Sequence, residues 1–444
     1  MARPAPLSGF PEWSPTGRIV EQHVLDTFRR TFELWGFASV ETRAVEPLEE
    51  LLRKGEIDKE VYVLRRLHAT ADDDPGRQFG LHYDLTVPFA RYVLENSAKL
   101  HFPFRRYQIQ KVWRGERPQE GRYREFLQAD VDVVGNGDLP FHHDVEVAQV
   151  MAEALAALPL PRLQLQVNNR KLVEGFYRGI GADDPAAVMR VIDKIDKLPP
   201  ETVRDLLLTE AKLDDAQASR CLALAEISSF DASFADRVMA LGVSDPLLEE
   251  GLDELVQVVE GVAGLRGERF TVSADLRIAR GLDYYTGTVY ETRMAGFEHL
   301  GSVCSGGRYD SLASDGSTSY PGVGISFGVT RALAPLLSRG LLTATRSVPT
   351  AVLVAVSDED SRPASVAVAV ALRSRGIPAE VAPAAAKFGK QIRHADRRGI
   401  PFVWFLRDGE THEVKDIRSG EQVTADPAAW TPPAPDLHPR VVAG

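Results

Sequence analysis

The chain has 444 residues, of which 44% are hydrophobic and 26% are charged, as in an ordinary soluble globular protein. The formal net charge of −11 excludes a wholly basic nucleic-acid coat but not a nucleic-acid partner, because binding depends on local charge. Two distant cysteines, Cys221 and Cys304, exclude a disulfide scaffold and disfavour cysteine-ligated zinc. No run of 18 apolar residues and no signal-peptide core is found, so we expect a cytoplasmic, reduced protein of two or three domains.

The N-terminal part of the chain predicts a long helix, a short strand and a hairpin. Residues 16–35 place apolar side chains on one helical stripe, namely Val20, Val24, Phe28 and Phe32, and a strand over 38–42 should follow. Residues 87–99 predict a second helix. Residues 107–113 and 126–134 then predict two strands joined by a loop of about ten residues, longer than usual, which suggests a functional loop.

The rest of the chain separates into a helical block and an α/β region. Helix 141–158 and strand 163–167 precede about four amphipathic stretches over 171–264, and strands return at 270–272, 284–291 and 301–304. Residues 341–350 predict a linker. The alternation of strands and helices beyond it predicts a mostly parallel sheet, and the Pro- and Ala-rich tail from Asp426 is expected to be loosely held.

Basic residues crowd the predicted hairpin. Residues 105–126 hold seven Arg or Lys against three Glu. Arg presents a planar fork of donors that suits phosphate oxygens, so a polyanion site and a solvated network of ion pairs are equally favoured here. Phe126 follows this cluster and either stacks on a base or belongs to the core.

Two tyrosine- and glycine-containing segments carry candidate ligand groups. RIARGLDYYTGTVYE (277–291) is suited to orienting a small polar ligand, or else forms an edge strand with an aromatic ladder. In VCSGGRYDSL (303–312), Gly306 and Gly307 predict a close turn from a strand into a helix. Cys304 is interpreted as a small buried residue rather than a nucleophile.

Two further segments place polar groups near helix starts. In LHYDLTVPFARY (81–92), Asp84 and Thr86 share one face of an extended chain and could hold an amine, or Thr86 caps the following helix. In GISFGVTRALAPLL (324–337), Arg331 lies in the first turn of a helix that follows a glycine-rich strand. It either reaches an anion or is an ordinary surface residue.

A strongly basic helix is predicted over 387–399, KFGKQIRHADRRG. Its basic residues are Lys387, Lys390, Arg393, Arg397 and Arg398, with Asp396 as the only acid. Residues 346–444 hold 13 basic and 12 acidic residues, so the positive charge of this region is concentrated on one helix. A nucleic-acid contact and a solvated helix face both fit this pattern.

Taken together, these motifs resemble the histidyl-tRNA synthetases, a class II aminoacyl-tRNA synthetase family, over about residues 8–425. The resemblance rests on WRGERPQEGRYREFLQADVDVV, RGLDYYTGTVYE, SGGRYDSL, GISFGVTRAL and KFGKQIRHADRRGIPFV. It implies an α+β fold, a class II antiparallel sheet flanked by helices. The implied domains are a catalytic domain (1–170 and 265–340), a helical insertion (171–264), the linker (341–350) and an α/β anticodon-binding domain (351–444).

The resemblance also implies an activity, partners and site residues. The chain would be a homodimeric ligase that uses ATP and Mg²⁺, activates L-histidine as an adenylate and transfers it to tRNA(His), with no protein-only metal site. Arg114 and Arg280 would act catalytically at the α-phosphate. The other implied ATP residues are Glu116, Arg122, Phe126 and Arg331. The implied histidine residues are Asp84, Leu85, Thr86, Gln128, Asp132, Tyr284, Tyr285 and Tyr309, and the basic helix would contact tRNA.

Two departures and two alternatives accompany this interpretation. Arg43 or Ala44 replaces a proline near the end of the family's dimerisation motif, and Asp132 stands where many relatives have Glu. A non-catalytic regulatory subunit of ATP phosphoribosyltransferase shares this fold, but such subunits usually lack the tail domain and part of the arginine set. A pure tRNA-binding module is disfavoured because it has no use for a triphosphate clamp.

Overall fold

The computed structural model describes residues 5–52, 60–68, 78–278, 285–311, 313–314, 316–407 and 411–444. They form two compact units, one of Met1–Pro11 with Val24–Pro335 and one of Glu12–His23 with Leu336–Gly444. None of the described helices is long and apolar enough to cross a membrane.

The first helix, α1, spans Pro15–Leu34 and confirms the prediction from its apolar stripe. Val20, Val24, Phe28 and Phe32 are all fully buried. The helix ends where Gly36 takes a φ of +78°, a conformation that glycine adopts without steric cost.

The elements between α1 and the helical block include the predicted hairpin. They are β1 (Ala38–Ser39), β2 (Val45–Pro47), α2 (Leu48–Leu51), β3 (Val63–Leu64), β4 (Phe79–Leu81), α3 (Thr86–Asn96), β5 (Phe104–Trp113), β6 (Glu125–Val134), α4 (His142–Ala156) and β7 (Leu163–Asn169). Strands β5 and β6 pair antiparallel over their full length. Their eleven-residue connection, 114–124, is the long loop that the sequence predicted.

The helical block consists of six helices rather than about four. They and a two-residue strand are α5 (Arg170–Gly179), α6 (Pro185–Ile192), α7 (Pro200–Thr209), α8 (Asp215–Ala225), β8 (Ser228–Ser229), α9 (Phe234–Met239) and α10 (Pro246–Ala263). Helices α5 and α10 approach closely because Gly175 and Gly251 lie at their crossing. A Cβ at Gly175 would lie 2.2 Å from the backbone nitrogen of Leu248.

Four strands and a helix complete the part of the chain that contains the large sheet. They are β9 (Phe270–Asp275), β10 (Thr288–Met294), β11 (Cys304–Tyr309), β12 (Gly322–Gly328) and α11 (Val329–Ser338). The nine-stranded sheet has the order β1-β5-β6-β12-β11-β10-β7-β9-β8. Its strands pair antiparallel except for β1 with β5 and β7 with β9, and helices flank it, so the predicted fold class is confirmed.

Two predictions about this part of the sheet were wrong. Strand β10 pairs with both β11 and β7, so it is an interior strand and not an edge strand with an aromatic ladder. Gly306 and Gly307 lie in the middle of β11 and do not turn the chain into a helix. A glycine pair is common to turns and to strands with close neighbours, so the local sequence could not distinguish them.

The second unit contains the predicted α/β sheet. Its elements from residue 336 onward are β13 (Leu342–Ala344), β14 (Val352–Val354), α12 (Arg362–Ser374), β15 (Ala379–Val381), α13 (Phe388–Arg397), β16 (Phe402–Arg407), β17 (Thr411–Asp416), β18 (Gln422–Thr424), α14 (Ala434–Leu437) and β19 (Val441–Ala443). The five-stranded sheet has the order β15-β14-β16-β17-β18. The first three strands are parallel, and β17 and β18 are antiparallel.

The prediction of a loosely held tail was wrong. The Trp430 ring packs edge-on against Trp404, with 5.6 Å between centroids. Strand β19 pairs with β13, a strand within the segment predicted as a linker. Aromatic burial and strand pairing over long sequence separation anchor this tail, and neither is visible in its Pro- and Ala-rich composition.

Candidate active site

A cleft opens where β6, β11 and β12 meet the loop 114–124 and the first turn of α11. Its volume is about 850 Å³, counting the solvent at its mouth. We call it the main cleft; its lining residues are Arg114, Glu116, Gly121, Arg122, Tyr123, Phe126, Gln128, Ser302, Val303, Ser305, Ser326, Gly328 and Arg331. It therefore brings together five of the six residues predicted to bind ATP. The sixth, Arg280, lies outside the described residues.

The loop arginines of the main cleft surround one carboxylate. The Arg122 Nη1 lies 3.2 Å from Glu116 Oε2, and the Arg114 Nη1 lies 3.8 Å from Glu116 Oε1. The Arg114 Nε donates to the carbonyl oxygen of Tyr83 at 3.1 Å, and its guanidinium carbon lies 5.1 Å from the ring centroid of Phe126. The loop thus contains an ion-pair network, and that network lines an open cleft wide enough for a ligand.

Arg331 also lines the main cleft. It lies in the first turn of α11, as predicted, and its Nη2 donates to the carbonyl oxygen of Leu300 at 2.7 Å. Gly328 precedes this helix, and a Cβ there would meet the Cβ of Arg331 at 3.3 Å. Glycine at this position lets the arginine lie against the strand end.

A smaller pocket adjoins the main cleft and shares Ser305 and Ser326 with it. We call it the inner pocket; its lining residues are Thr86, Asp130, Asp132, Tyr285, Ser305, Gly306, Tyr309, Gly324, Ile325 and Ser326. Four of the residues predicted to bind histidine line it, namely Thr86, Asp132, Tyr285 and Tyr309. Gln128 lines the adjoining cleft, and Tyr284 lies outside the described residues.

Two side chains that contact Asp132 are described in and around the inner pocket. The Asp132 Oδ1 accepts a hydrogen bond from the Tyr309 hydroxyl at 2.9 Å, and its Oδ2 lies 2.8 Å from Nη2 of Arg106. Arg106 is fully buried on β5. Burial raises the pKa of Tyr309 well above its ordinary value, so its hydroxyl stays protonated and remains a donor.

The segment before α3 holds the two remaining candidates, Asp84 and Leu85, directly before Thr86. Asp84 and Leu85 are both buried, and the Asp84 Oδ1 accepts from the backbone N–H of Val87 at 3.1 Å. Thr86 is already the first residue of α3. The cap interpretation of Thr86 was therefore wrong, because Asp84 supplies the side-chain oxygen at this helix start.

Glycines keep the floor of the inner pocket open. A Cβ at Gly324 would lie 2.0 Å from the Asp132 Oδ1, and a Cβ at Gly306 would lie 2.1 Å from the carbonyl oxygen of Gly324. At Gly307 it would meet the ring of Tyr285 at 2.6 Å. The glycines of β11 and β12 therefore serve close approach between strands and side chains.

The structure places at the site several residues that were not predicted from the sequence. They are Arg106, Tyr123, Asp130, Ser305 and Ser326. Asp130 was accessible to sequence reasoning, since residues 128, 130 and 132 of one strand share a face. The serines carried no such signal, because they belong to strands whose register with β6 is set by long-range pairing.

Family models and known proteins match the chain over most of its length. A model described as histidyl-tRNA synthetase matches residues 9–332. The chain belongs to the histidyl-tRNA synthetase family. A second model, the anticodon-binding domain, matches residues 350–429.

Individual members of the family are similar to nearly the whole chain. A histidine–tRNA ligase of Cutibacterium acnes is 62% identical, with 100% of this chain and 99% of the relative covered. One of Micrococcus luteus is 60% identical, with 99% of each covered. The crystal structure of histidyl-tRNA synthetase from Nostoc sp. PCC 7120 matches with a TM-score of 0.84 at 33% identity, covering 96% of this chain and 97% of that one. The regulatory-subunit alternative is therefore not favoured.

The departure in the family's dimerisation motif has a local structural role. Arg43 precedes β2, and its Nη2 lies 3.0 Å from Glu46 Oε2. Glu46 is fully buried and also receives two hydrogen bonds from Arg91, at 3.1 and 2.7 Å. Ala44 contributes a carbonyl oxygen that accepts from the His82 backbone N–H. These residues fix β2 against α3.

The basic helix of the second unit is α13, and four of its predicted tRNA contacts are exposed. They are Lys387, Lys390, Arg393 and Arg397. Arg398 differs, because its guanidinium pairs with both carboxylate oxygens of Glu380 on β15. We therefore expect Arg398 to contribute mainly to the packing of this unit.

Proposed function

We propose that the chain activates L-histidine with ATP and then transfers the histidyl group to the 3′-terminal adenosine of tRNA(His). The observation that carries this proposal is the junction of the two pockets at Ser305 and Ser326. A cationic cleft suited to a triphosphate there meets a polar pocket suited to a small amino acid. Similarity to named histidine–tRNA ligases supports the same assignment.

The first step joins the substrates across that junction. A histidine carboxylate oxygen attacks the α-phosphorus, a new P–O bond forms, and the bond to the bridging oxygen breaks to release pyrophosphate. Arg114 acts at the α-phosphate, since fixed donors aimed at developing charge stabilise a transition state. Arg122 and Arg331 hold the β- and γ-phosphates, while Glu116 and Phe126 contact the adenine. Arg280 is proposed as the second α-phosphate arginine.

No general base is required for this step, because the substrate carboxylate is already ionised. The chain's contribution is positioning of the two reactants and electrostatic stabilisation. In the second step the terminal ribose hydroxyl of the tRNA attacks the acyl carbon, and AMP and one proton leave.

Histidine is held at both ends in this proposal. Asp84, Thr86 and Gln128 bind the ammonium group, and Leu85 lies between Asp84 and Thr86 in the sequence. Asp132, Tyr284, Tyr285 and Tyr309 surround the imidazole ring. A site built from buried hydrogen-bonding groups rejects an analogue that lacks the matching groups, by about 10⁴-fold or more.

Mg²⁺ enters this proposal as part of the ATP substrate. Among the described residues, no group of three or more His, Cys, Asp or Glu side chains could hold a metal ion. Magnesium bound through phosphates and water needs no such protein cage, and its charge would offset that of the phosphates. Homodimer formation and action in the cytoplasm complete the proposal, by analogy with the family.

Charging of tRNA tests the complete proposal. Purified full-length protein is incubated with ATP, Mg²⁺, radiolabelled L-histidine and unmodified tRNA(His), with tRNA for another amino acid as the control. We expect acid-precipitable label on tRNA(His) alone. If folded protein binds ATP and histidine but neither tRNA carries label, that result would contradict the transfer step.

A further inference from the structure

Asp130 lies on the floor of the inner pocket, between two residues that the sequence assigned to histidine binding. Gln128, Asp130 and Asp132 alternate along β6, so their side chains point to the same face of the sheet. Asp130 is 2% exposed, and it lines the inner pocket together with Thr86 and Tyr285. No role is assigned to this carboxyl by the proposed function.

The neighbours of Asp130 make several contacts with one another. The buried guanidinium of Arg106 pairs with Asp132 through Nη2 and donates to the Gln108 side chain through Nη1 at 3.0 Å. The other Asp132 oxygen accepts from Tyr309. The Asp130 Oδ1 has no hydrogen-bond partner among the residues that the structure describes, and the same holds for Arg106 Nε and Gln128 Oε1. A buried carboxyl oxygen without a partner favours a ligand that supplies one.

The charge of the pocket places Asp130 near its titration point at neutral pH. Burial raises the pKa of Asp130 to about 7; the nearby carboxylates of Asp132 and Asp84 act in the same direction, whereas Arg106 and the Ser326 hydroxyl oppose the shift. Asp130 thus lies near two other acids and one buried guanidinium. Asp130 carries its proton for part of the time and can act as either donor or acceptor.

We propose that Asp130 faces the imidazole ring of bound histidine and shares a single proton with it. This inference rests on the proposed function. The proton resides either on Asp130, which then donates to a ring nitrogen, or on that nitrogen, which then donates to the carboxylate. The proton moves between oxygen and nitrogen, no other bond changes, and both arrangements add no net charge to the pocket.

The substrate matches this partner chemically. A free imidazole has a pKa of about 6.5, close to that of the pocket carboxyl, and two groups of similar proton affinity in contact titrate as a pair. The glycines at 306 and 324 leave room for the ring above the strand. Asp130 is therefore a specificity residue that acts through the charge of the pair, beside the hydrogen bonds of Asp132.

Other ionisable groups face Asp130 from the surrounding elements. They include the buried guanidinium of Arg106 on β5, and Asp132 on β6 and Asp84 before α3, which already accept hydrogen bonds from described partners. Burial raises the pKa values of Tyr285, Tyr309 and Cys304, so these three stay protonated. The pair of Asp130 and the substrate ring is therefore expected to dominate titration between pH 6 and 8.

Calorimetric titration of L-histidine into the full-length protein tests the inference through proton linkage. Binding is measured in two buffers of different ionisation enthalpy, without ATP. At pH 8 the free carboxyl and free ring hold few protons, so complex formation should take up about 0.9 proton. At pH 6 both are mostly protonated, and binding should release about 0.7 proton.

The variant Asp130→Asn removes the titrating carboxyl while keeping its shape. Proton uptake at pH 8 should fall close to zero, and the histidine Kd should rise about ten- to hundredfold. The KM for histidine should rise with it and kcat should change little, as for loss of uniform binding. Asp138→Asn, at an exposed position just beyond the same strand, is the matched control and should leave both values unchanged.

A ligand without a titratable ring distinguishes proton uptake that involves the ring from proton uptake that involves the ammonium group. β-(2-Thienyl)alanine should bind weakly and without proton uptake. Three results would each overturn the inference and leave the proposed function standing. They are proton uptake with this ligand, no proton uptake with histidine in the unsubstituted protein, and unchanged proton uptake in Asp130→Asn. The second of these needs no variant, so it decides the question even if Asp130→Asn fails to fold. Absence of any histidine binding would instead overturn the proposed function.

Discussion

Arg114 illustrates how a single side chain is aimed by the backbone around it. It follows directly after β5, and its Nε is fixed by the Tyr83 carbonyl. The rest of the guanidinium fork lies near Glu116 and the ring of Phe126, and all three residues line the main cleft. One donor is therefore used for orientation, and the others remain directed into the cleft where a phosphate would lie.

We expect Arg114→Ala to lower kcat for histidine activation by about 10²- to 10³-fold, the usual cost of losing one donor to developing charge. The KM for histidine should change little, because the arginine lies outside the inner pocket. Pyrophosphate exchange at saturating substrates measures this. Arg117→Ala removes the same charge from an exposed position of the same loop and should retain activity; an equal loss in both variants would contradict the role of Arg114.

Tyr309→Phe tests the wall of the inner pocket. The hydroxyl donates to Asp132 at 2.9 Å, and hydrogen bonds to charged groups contribute about 1.5–3 kcal/mol. We therefore predict a rise of at least about tenfold in the KM for histidine. Because burial raises the pKa of this tyrosine, the effect should be the same at pH 7 and pH 9. Tyr320→Phe, at a buried ring that packs on Phe102, should leave the KM unchanged.

For individual side chains, the sequence predicted which residue types lie at the site better than it predicted which residues they pair with. The alternation in QADVD shows that Asp130 and Asp132 share a face. Which of them pairs with Arg106 depends on the alignment of β5 with β6, where Arg106 lies opposite Asp132. That register is a property of the hairpin, so no local pattern distinguishes the two acids.

Among the elements, the glycine-rich strands β11 and β12 determine the depth of the inner pocket. They pair through Gly306 and Gly307 opposite Ile325 and Gly324. The sequence correctly predicted helix α1, the hairpin of β5 and β6, and the α/β alternation of the second unit, because each follows from a periodic apolar pattern. Strand β11 was misinterpreted because its glycines are explained by neighbours that lie far away in the sequence.

We expect Gly324→Ala to destabilise the fold and impair histidine binding together. The added methyl would lie 2.0 Å from the Asp132 Oδ1, and overpacking of this kind costs about 1–3 kcal/mol or more. Denaturant unfolding and the histidine KM report the two effects. Gly267→Ala, where a Cβ would meet nothing within 4 Å, should stay within about 0.5 kcal/mol of the unsubstituted protein. Equal stability of the two variants would contradict the close approach.

Over the whole molecule, charge is distributed unevenly. The chain carries a net charge of −11, yet α13 exposes a run of lysines and arginines. Because α13 lies within the region matched by the anticodon-binding model, we propose this helix as a contact for the tRNA backbone. Composition alone concealed it, since the acidic remainder outweighs the local excess.

Lys390→Gln/Arg393→Gln should raise the KM for tRNA(His) in charging while leaving pyrophosphate exchange unchanged. Each lost phosphate contact should also reduce the magnitude of the negative slope of log affinity against log salt concentration by about 0.7–0.9. The control Arg29→Gln/Arg30→Gln removes two charges from α1 and should alter neither value. Reduced exchange in the α13 variant would show that the helix acts on the catalytic domain rather than on tRNA.

The proposed activation of histidine is tested most directly by amino-acid-dependent exchange of pyrophosphate into ATP, measured separately with each of the twenty amino acids. The reaction needs no tRNA, so it isolates the junction of the two pockets. We predict exchange with L-histidine alone and its loss in Arg114→Ala. Exchange with a different amino acid, or none from folded protein that still binds histidine, would contradict it.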